Sequence, residues 1–167
     1  MLYCDQVIIM RKQKVYIDTS VISHLQAADV PDKEKDTKLL WAEFGFGRFE
    51  PQISNVTFSE LESCPEPKLT YLLERVEEIQ YAFLTETDES DSLVDEYKKH
   101  GVLPENNLND LRHIAVATTN QCDYIISWNF KHFVNINVIN RVIAVNKLNG
   151  YGDILILPPT MLLSQED

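Results

Sequence analysis

Val15-Tyr16-Ile17-Asp18-Thr19-Ser20-Val21-Ile22 is the stretch whose reading decides the fold. A short apolar run ends on an acid, two hydroxyl residues follow, and the apolar residues resume. Val15 to Asp18 reads as a buried strand, and Thr19 and Ser20 can cap a helix carrying Val21, Ile22 and Leu25. Polar residues recur where the chain leaves apolar segments. Glu60 comes after the strand candidate Gln52 to Ser54, Asp110 opens a helix-like stretch, and Asn129 follows Tyr124-Ile125-Ile126. If the apolar segments are parallel strands, such residues gather on one rim, because open α/β sheets bind ligands outside their strand carboxyl ends.

The rest of the chain supports parallel strands. The sequence predicts a surface connection over Asp29 to Asp36, then a helix through Leu39, Leu40, Ala42 and Phe46 that Gly45 and Gly47 close. It predicts a short helix from Thr57 to Cys64 ended by Pro65 and Pro67, and a helix marked by Leu69, Leu72, Leu73, Val76 and Ile79. Tyr81 to Leu84 reads as a strand, and Asp88 to His100 as a helix stopped by Gly101. Asn109 is the expected N-cap of the next helix, with Asp110 in its first turn and Leu111, Ile114, Ala115 and Thr118 at helical spacing. Tyr124 to Ser127 and Ile154 to Leu157 complete the strands, with a helix between them over Val138 to Leu148. Strands alternating with helices imply a parallel sheet covered on both faces.

The chain has 167 residues, of which 44% are hydrophobic, enough for one core and too little for two ordinary domains. The expected organisation is an N-terminal extension over residues 1–13 and a single domain over 14–167. Fifteen Lys and Arg against 26 Asp and Glu give a net charge of −11, which opposes long-range attraction of a polyanion. Cys4, Cys64 and Cys122 are widely spaced, with no matched zinc pattern, which fits a reduced cytoplasmic setting. No segment approaches the length of an apolar membrane helix.

A cluster of carboxylates needs a cause, because two unit charges about 5 Å apart repel by roughly 3 kcal/mol at an effective dielectric near 20. A hard divalent cation, Mg²⁺ or Mn²⁺, supplies one and points toward phosphoryl chemistry. Each member also has a plainer reading. Asp18 can cap the following helix, Asp110 can complement a helix dipole, and Asn129 can be a turn residue. On their short helix Glu60 and Glu62 flank the apolar stripe of Phe58, Leu61 and Cys64 at similar angles, so periodicity does not choose between them. His113 lies one turn after Asn109, at the rim or in a structural role; His24, His100 and His132 carry no stronger signal.

Tyr16 to Ile22, Ser54 to Leu61, Asn109 to Ala117 and Ile125 to Phe133 together resemble the signature of the PIN-domain family. The resemblance spans most of residues 14 to 157. It implies a three-layer α/β/α sandwich around a parallel sheet and a metal-dependent ribonuclease, with the VapC-type toxins of toxin–antitoxin pairs among its members. By that analogy Asp18, Glu60 and Asp110 are the acidic ligands of Mg²⁺ or Mn²⁺, and Ser20 and Ser127 are small polar residues near the site, expected to bind substrate. A fourth family acid falls at Asn129, where this chain has an amide that orients water or ligand and is no general base. Arg112, Lys131 and Arg141 are candidates for backbone contacts with an RNA substrate. The implied partners are a small antitoxin protein and a second copy of the chain. A catalytically weak PIN-like module that binds RNA or protein is the alternative that Asn129 and the low pI suggest. A haloacid-dehalogenase-type phosphatase is disfavoured because Thr19 and Ser20 follow Asp18, with no second aspartate two positions on.

Overall fold

A computed structural model describes residues 11–163. Most of the expected N-terminal extension therefore lies outside the described residues, as does Cys4. The chain runs β1 (Lys14–Ile17), α1 (Thr19–Ser23), α2 (Pro31–Gly45), β2 (Glu50–Ser54), α3 (Asn55–Leu61), α4 (Lys68–Val76), β3 (Ala82–Leu84) and α5 (Asp88–Lys99). It continues through α6 (Leu108–Thr119), β4 (Tyr124–Ile126), α7 (Ile136–Leu148), β5 (Leu155–Leu157) and a 3₁₀ turn, Pro159–Leu162.

Side-chain alternation along the strands builds the layers, because successive residues of a strand point to opposite faces. Tyr16, Ile125 and Ile156 belong to one core with residues of α5, α6 and α7. Val15, Ile17, Ile53 and Ile126 belong to a second core with residues of α1, α2, α3 and α4. Both cores are apolar, so the strands read as continuous hydrophobic runs, as the opening stretch does. The result is the expected three-layer α/β/α sandwich.

The sheet order is β3-β2-β1-β4-β5, and all four neighbouring pairs are parallel. Tyr16 registers with Gln52 on one side and Ile125 on the other. Successive strands step outward from β1 to β3, then resume on the opposite side with β4. The strand order therefore reverses between β1 and β4, the place where open α/β sheets form a ligand crevice. Val15, Tyr16 and Ile17 of the central strand are fully buried, and Asp18 is its first residue beyond the sheet.

Two local expectations are corrected. The charged segment 29–36 is not a connection throughout: α2 begins at Pro31, whose ring suits the first helical position, while Asp32 and Glu34 complement the dipole in the first turn. α6 begins at Leu108, so Asn109 lies inside its first turn, and Asn107 occupies the cap position without a side-chain capping bond. Elsewhere the boundaries differ by a few residues. α3, for instance, starts at Asn55 because the Ser54 hydroxyl accepts from the Thr57 amide and caps it.

Candidate metal centre

Asp18 leaves β1 with only 4% of its surface exposed. It is both the N-cap of α1 and the best-supported acid at the rim. Its Oδ2 accepts from the Ser20 amide at 3.4 Å, the Ser20 hydroxyl at 2.5 Å and the Ser127 hydroxyl at 2.7 Å. Its Oδ1 has no hydrogen bond among the described residues; His113 Nε2 lies 3.7 Å away. One oxygen is thus loaded with donors, which fixes the carboxylate's orientation, and the other is left to face the cluster. The second serine comes from the end of β4, so the two sides of the strand-order reversal are joined through this acid.

Glu60 reaches the same place from α3. Its Oε2 accepts from the Thr19 hydroxyl and from His113 Nε2 at 2.9 Å, and its Oε1 accepts from Asn109 Nδ2 at 3.1 Å. Burial works against the charged form of Glu60, but the bonds from His113, Thr19 and Asn109 and the His113 charge outweigh it and hold the carboxyl at about 2. Glu62, the periodicity-equivalent residue, is exposed.

His113 is fully buried on α6, three residues after Asp110 and four after Asn109, spacings that share one helix face. Its Nδ1 lies 2.6 Å from the Tyr16 hydroxyl, which in turn lies 2.5 Å from Ser54 Oγ. Burial opposes its charged form, yet the Glu60 bond and the charges of Asp18, Glu60 and Asp110 raise its pKa. Donor atoms of Asp18, Glu60 and His113 all lie within 4.8 Å of one another.

The other candidates divide. Asp110 stands beside this group: its Oδ2 accepts from Asn107 Nδ2 at 3.2 Å and lies 3.0 Å from His132 Nδ1, which is also 2.7 Å from Asn107 Nδ2. Burial and the Asp18 charge raise its pKa, partly offset by His132 and Asn107. Ser20 and Ser127 serve Asp18, as described. Asn129 Oδ1 accepts the His132 amide at 3.0 Å, so this oxygen shapes a turn. Arg112 is committed as well: Nε and Nη2 donate to Glu86, the latter at 2.6 Å, and Nη1 donates to Asn109 Oδ1 at 2.8 Å. Arg141 donates to the Gly101 carbonyl at 2.9 Å, and Lys131 is exposed.

His113, Tyr16, Thr19, Asn109 and His132 are contributors that sequence reasoning did not select. The helical spacing of Asn109, Asp110 and His113 was the available signal. That the histidine turns toward Glu60 depends on how α3 and α6 pack.

The fold and rim thus define an α/β/α sandwich with a carboxylate and imidazole cluster at its strand-order reversal. No family model matches the chain, and no curated protein matches it. Among solved structures, the chain is similar to VapBC2 from Rickettsia felis, in a crystal structure bound to a DNA fragment from their promoter. The match has a TM-score of 0.55 and 13% identity and covers 87% of this chain and 98% of that chain. A likeness at that identity speaks for the fold.

Proposed function

We propose that this chain is a PIN-type, divalent-cation-dependent endoribonuclease that hydrolyses RNA phosphodiester bonds and acts as the toxin partner of a small antitoxin protein. The observation that carries the reading is the convergence of Asp18, Glu60 and His113 donor atoms within 4.8 Å at the rim between β1 and β4. Asp18, Glu60 and Asp110 are the proposed acidic ligands of Mg²⁺ or Mn²⁺. The oxygen donors suit both ions. Such an ion supplies a Lewis acid for the phosphate and acidifies a neighbouring water.

The chain's own residues supply rigidity and orientation. Ser20 and Ser127 hold Asp18, while Thr19, Asn109 and His113 hold Glu60, so neither carboxylate must reorganise when a cation arrives. Asn129 shapes the turn that carries Lys131, a proposed contact for the phosphate backbone, and Arg112 braces the site through Glu86. In the family scheme, cleavage leaves a 5′-phosphate and a 3′-hydroxyl. Residues 14–167 form the proposed PIN-like unit, acting in the cytoplasm and forming a homodimer. The net charge of −11 suits a basic antitoxin segment.

Cleavage of a mixed RNA panel with Mg²⁺ or Mn²⁺, comparing the native chain with Asp18→Asn and Asp110→Ala, tests the reading. Each substitution is expected to lower the rate by about 100-fold or more. Equal cleavage by all three proteins sinks the enzyme. The second reading, a binding module, is motivated by the amide at Asn129; RNA or partner binding without cleavage by the native chain supports it.

A further inference from the structure

Residues 127–132 bridge the two rim aspartates. At one end Ser127 donates to Asp18 at 2.7 Å; at the other His132 Nδ1 lies within hydrogen-bond distance of Asp110 Oδ2, at 3.0 Å. Between them the Trp128 amide donates to Ser20 Oγ at 2.9 Å, and its indole donates to Thr37 Oγ1 of α2 at 2.8 Å. Asn129 closes the turn onto the His132 amide at 3.0 Å. Side chains on this bridge are therefore anchored on both sides of Phe130, which stays 47% exposed.

An exposed phenylalanine alone is ordinary. This one is braced: its ring centroid is 6.2 Å from that of Trp128, and Lys33 Nζ lies 5.2 Å from its centroid and 5.3 Å from that of Trp128. It is three residues from Ser127 and two from His132, so its Cα lies within about 10 Å and about 7 Å of theirs. The overall charge of −11 works against a polyanion, so affinity for RNA requires contacts that are not purely electrostatic. Aromatic stacking supplies such a contact, and every unpaired base has a face to offer.

We propose that Phe130 is a stacking platform for an unpaired RNA base next to the phosphate at the Asp18 and Asp110 rim, with Lys33 and Lys131 contacting the flanking backbone. The RNA occupant and its placement beside a scissile phosphate both rest on the RNA reading of the site; the contact itself does not require turnover. A paired base has its faces covered by neighbours in the duplex, so the platform selects single-stranded RNA.

A short fluorescein-labelled oligouridylate, titrated with Ca²⁺ replacing Mg²⁺ to support binding without turnover, reads the contact by anisotropy. Phe130→Ala should weaken binding about 5- to 150-fold, the range for loss of one stacked base, while Phe130→Trp retains it. The slope of log affinity against log salt should stay the same in Phe130→Ala and fall by about one in Lys33→Ala. Unchanged affinity in Phe130→Ala, or a duplex bound as tightly as the single strand, overturns the platform. The two readings fail separately. Cleavage by the native chain with no dependence of binding on Phe130 removes the platform and leaves the nuclease; Phe130-dependent binding without cleavage does the reverse.

Discussion

His113 is where the chemistry of single residues is most tightly coupled. It donates to Glu60 with one ring nitrogen and is held through the other by Tyr16, whose hydroxyl also meets Ser54. His113→Ala removes the buried partner of a carboxylate and leaves the Tyr16 hydroxyl without its ring nitrogen. It should lower unfolding stability by about 3 kcal/mol, read from urea midpoints at constant slope. The pH dependence follows from Glu60, which folding depresses from its ordinary 4.5 to about 2. A depressed carboxyl contributes stability that is present above about 4.5 and is lost as pH falls toward 2. Urea unfolding across that window should show the loss in the native chain and a flatter acid limb in Glu60→Gln. Equal limbs count against the His113 and Glu60 coupling. Position 60 was ambiguous with position 62 in the sequence because both flank one apolar stripe; only the approach of α6 to α3 distinguishes them.

At the scale of elements, the helix ends place the site. α5 opens with a capping box in which Thr87 accepts from the Ser90 amide and the Ser90 hydroxyl accepts from the Thr87 amide. Thr87→Ala should cost about 1 kcal/mol in urea unfolding. The adjacent residue Glu86 holds Arg112 of α6, and Arg112 in turn orients Asn109 against Glu60. Glu86→Gln should therefore reduce divalent-cation affinity in calorimetric titration by about tenfold while leaving helix content unchanged, the smaller end of the effects expected when an outer support is removed. The spacing of Asn109, Asp110 and His113 was legible as one helix face. The start of α2 was not, because the charges between Pro31 and Asp36 look the same on a solvated helix as on a loop. That difference matters: the helix carries Lys33 and Thr37 to the segment after β4.

For the whole molecule, the β3-β2-β1-β4-β5 order gathers residues distant in sequence, since Asp18, Glu60 and His113 come from α1, α3 and α6 or their entrances. Cation binding to the folded state alone should therefore raise global stability. Mn²⁺ at about 100 times its dissociation constant should add about 2.7 kcal/mol, and chelation should remove it. Thermal unfolding with and without Mn²⁺ checks this, and Asp18→Asn should abolish the shift. The sequence by itself determined the alternation of strands and helices and the recurrence of polar residues just beyond them, because hydrophobic periodicity and capping act over a few residues. Tertiary structure decided that Glu60 rather than Glu62 meets Asp18, that His113 joins them, that Arg112 is spent on Glu86, and that Asn129 builds a turn. Those outcomes depend on how parallel strands are ordered and helices packed across the sheet, and so on contacts between residues tens of positions apart that no local pattern encodes.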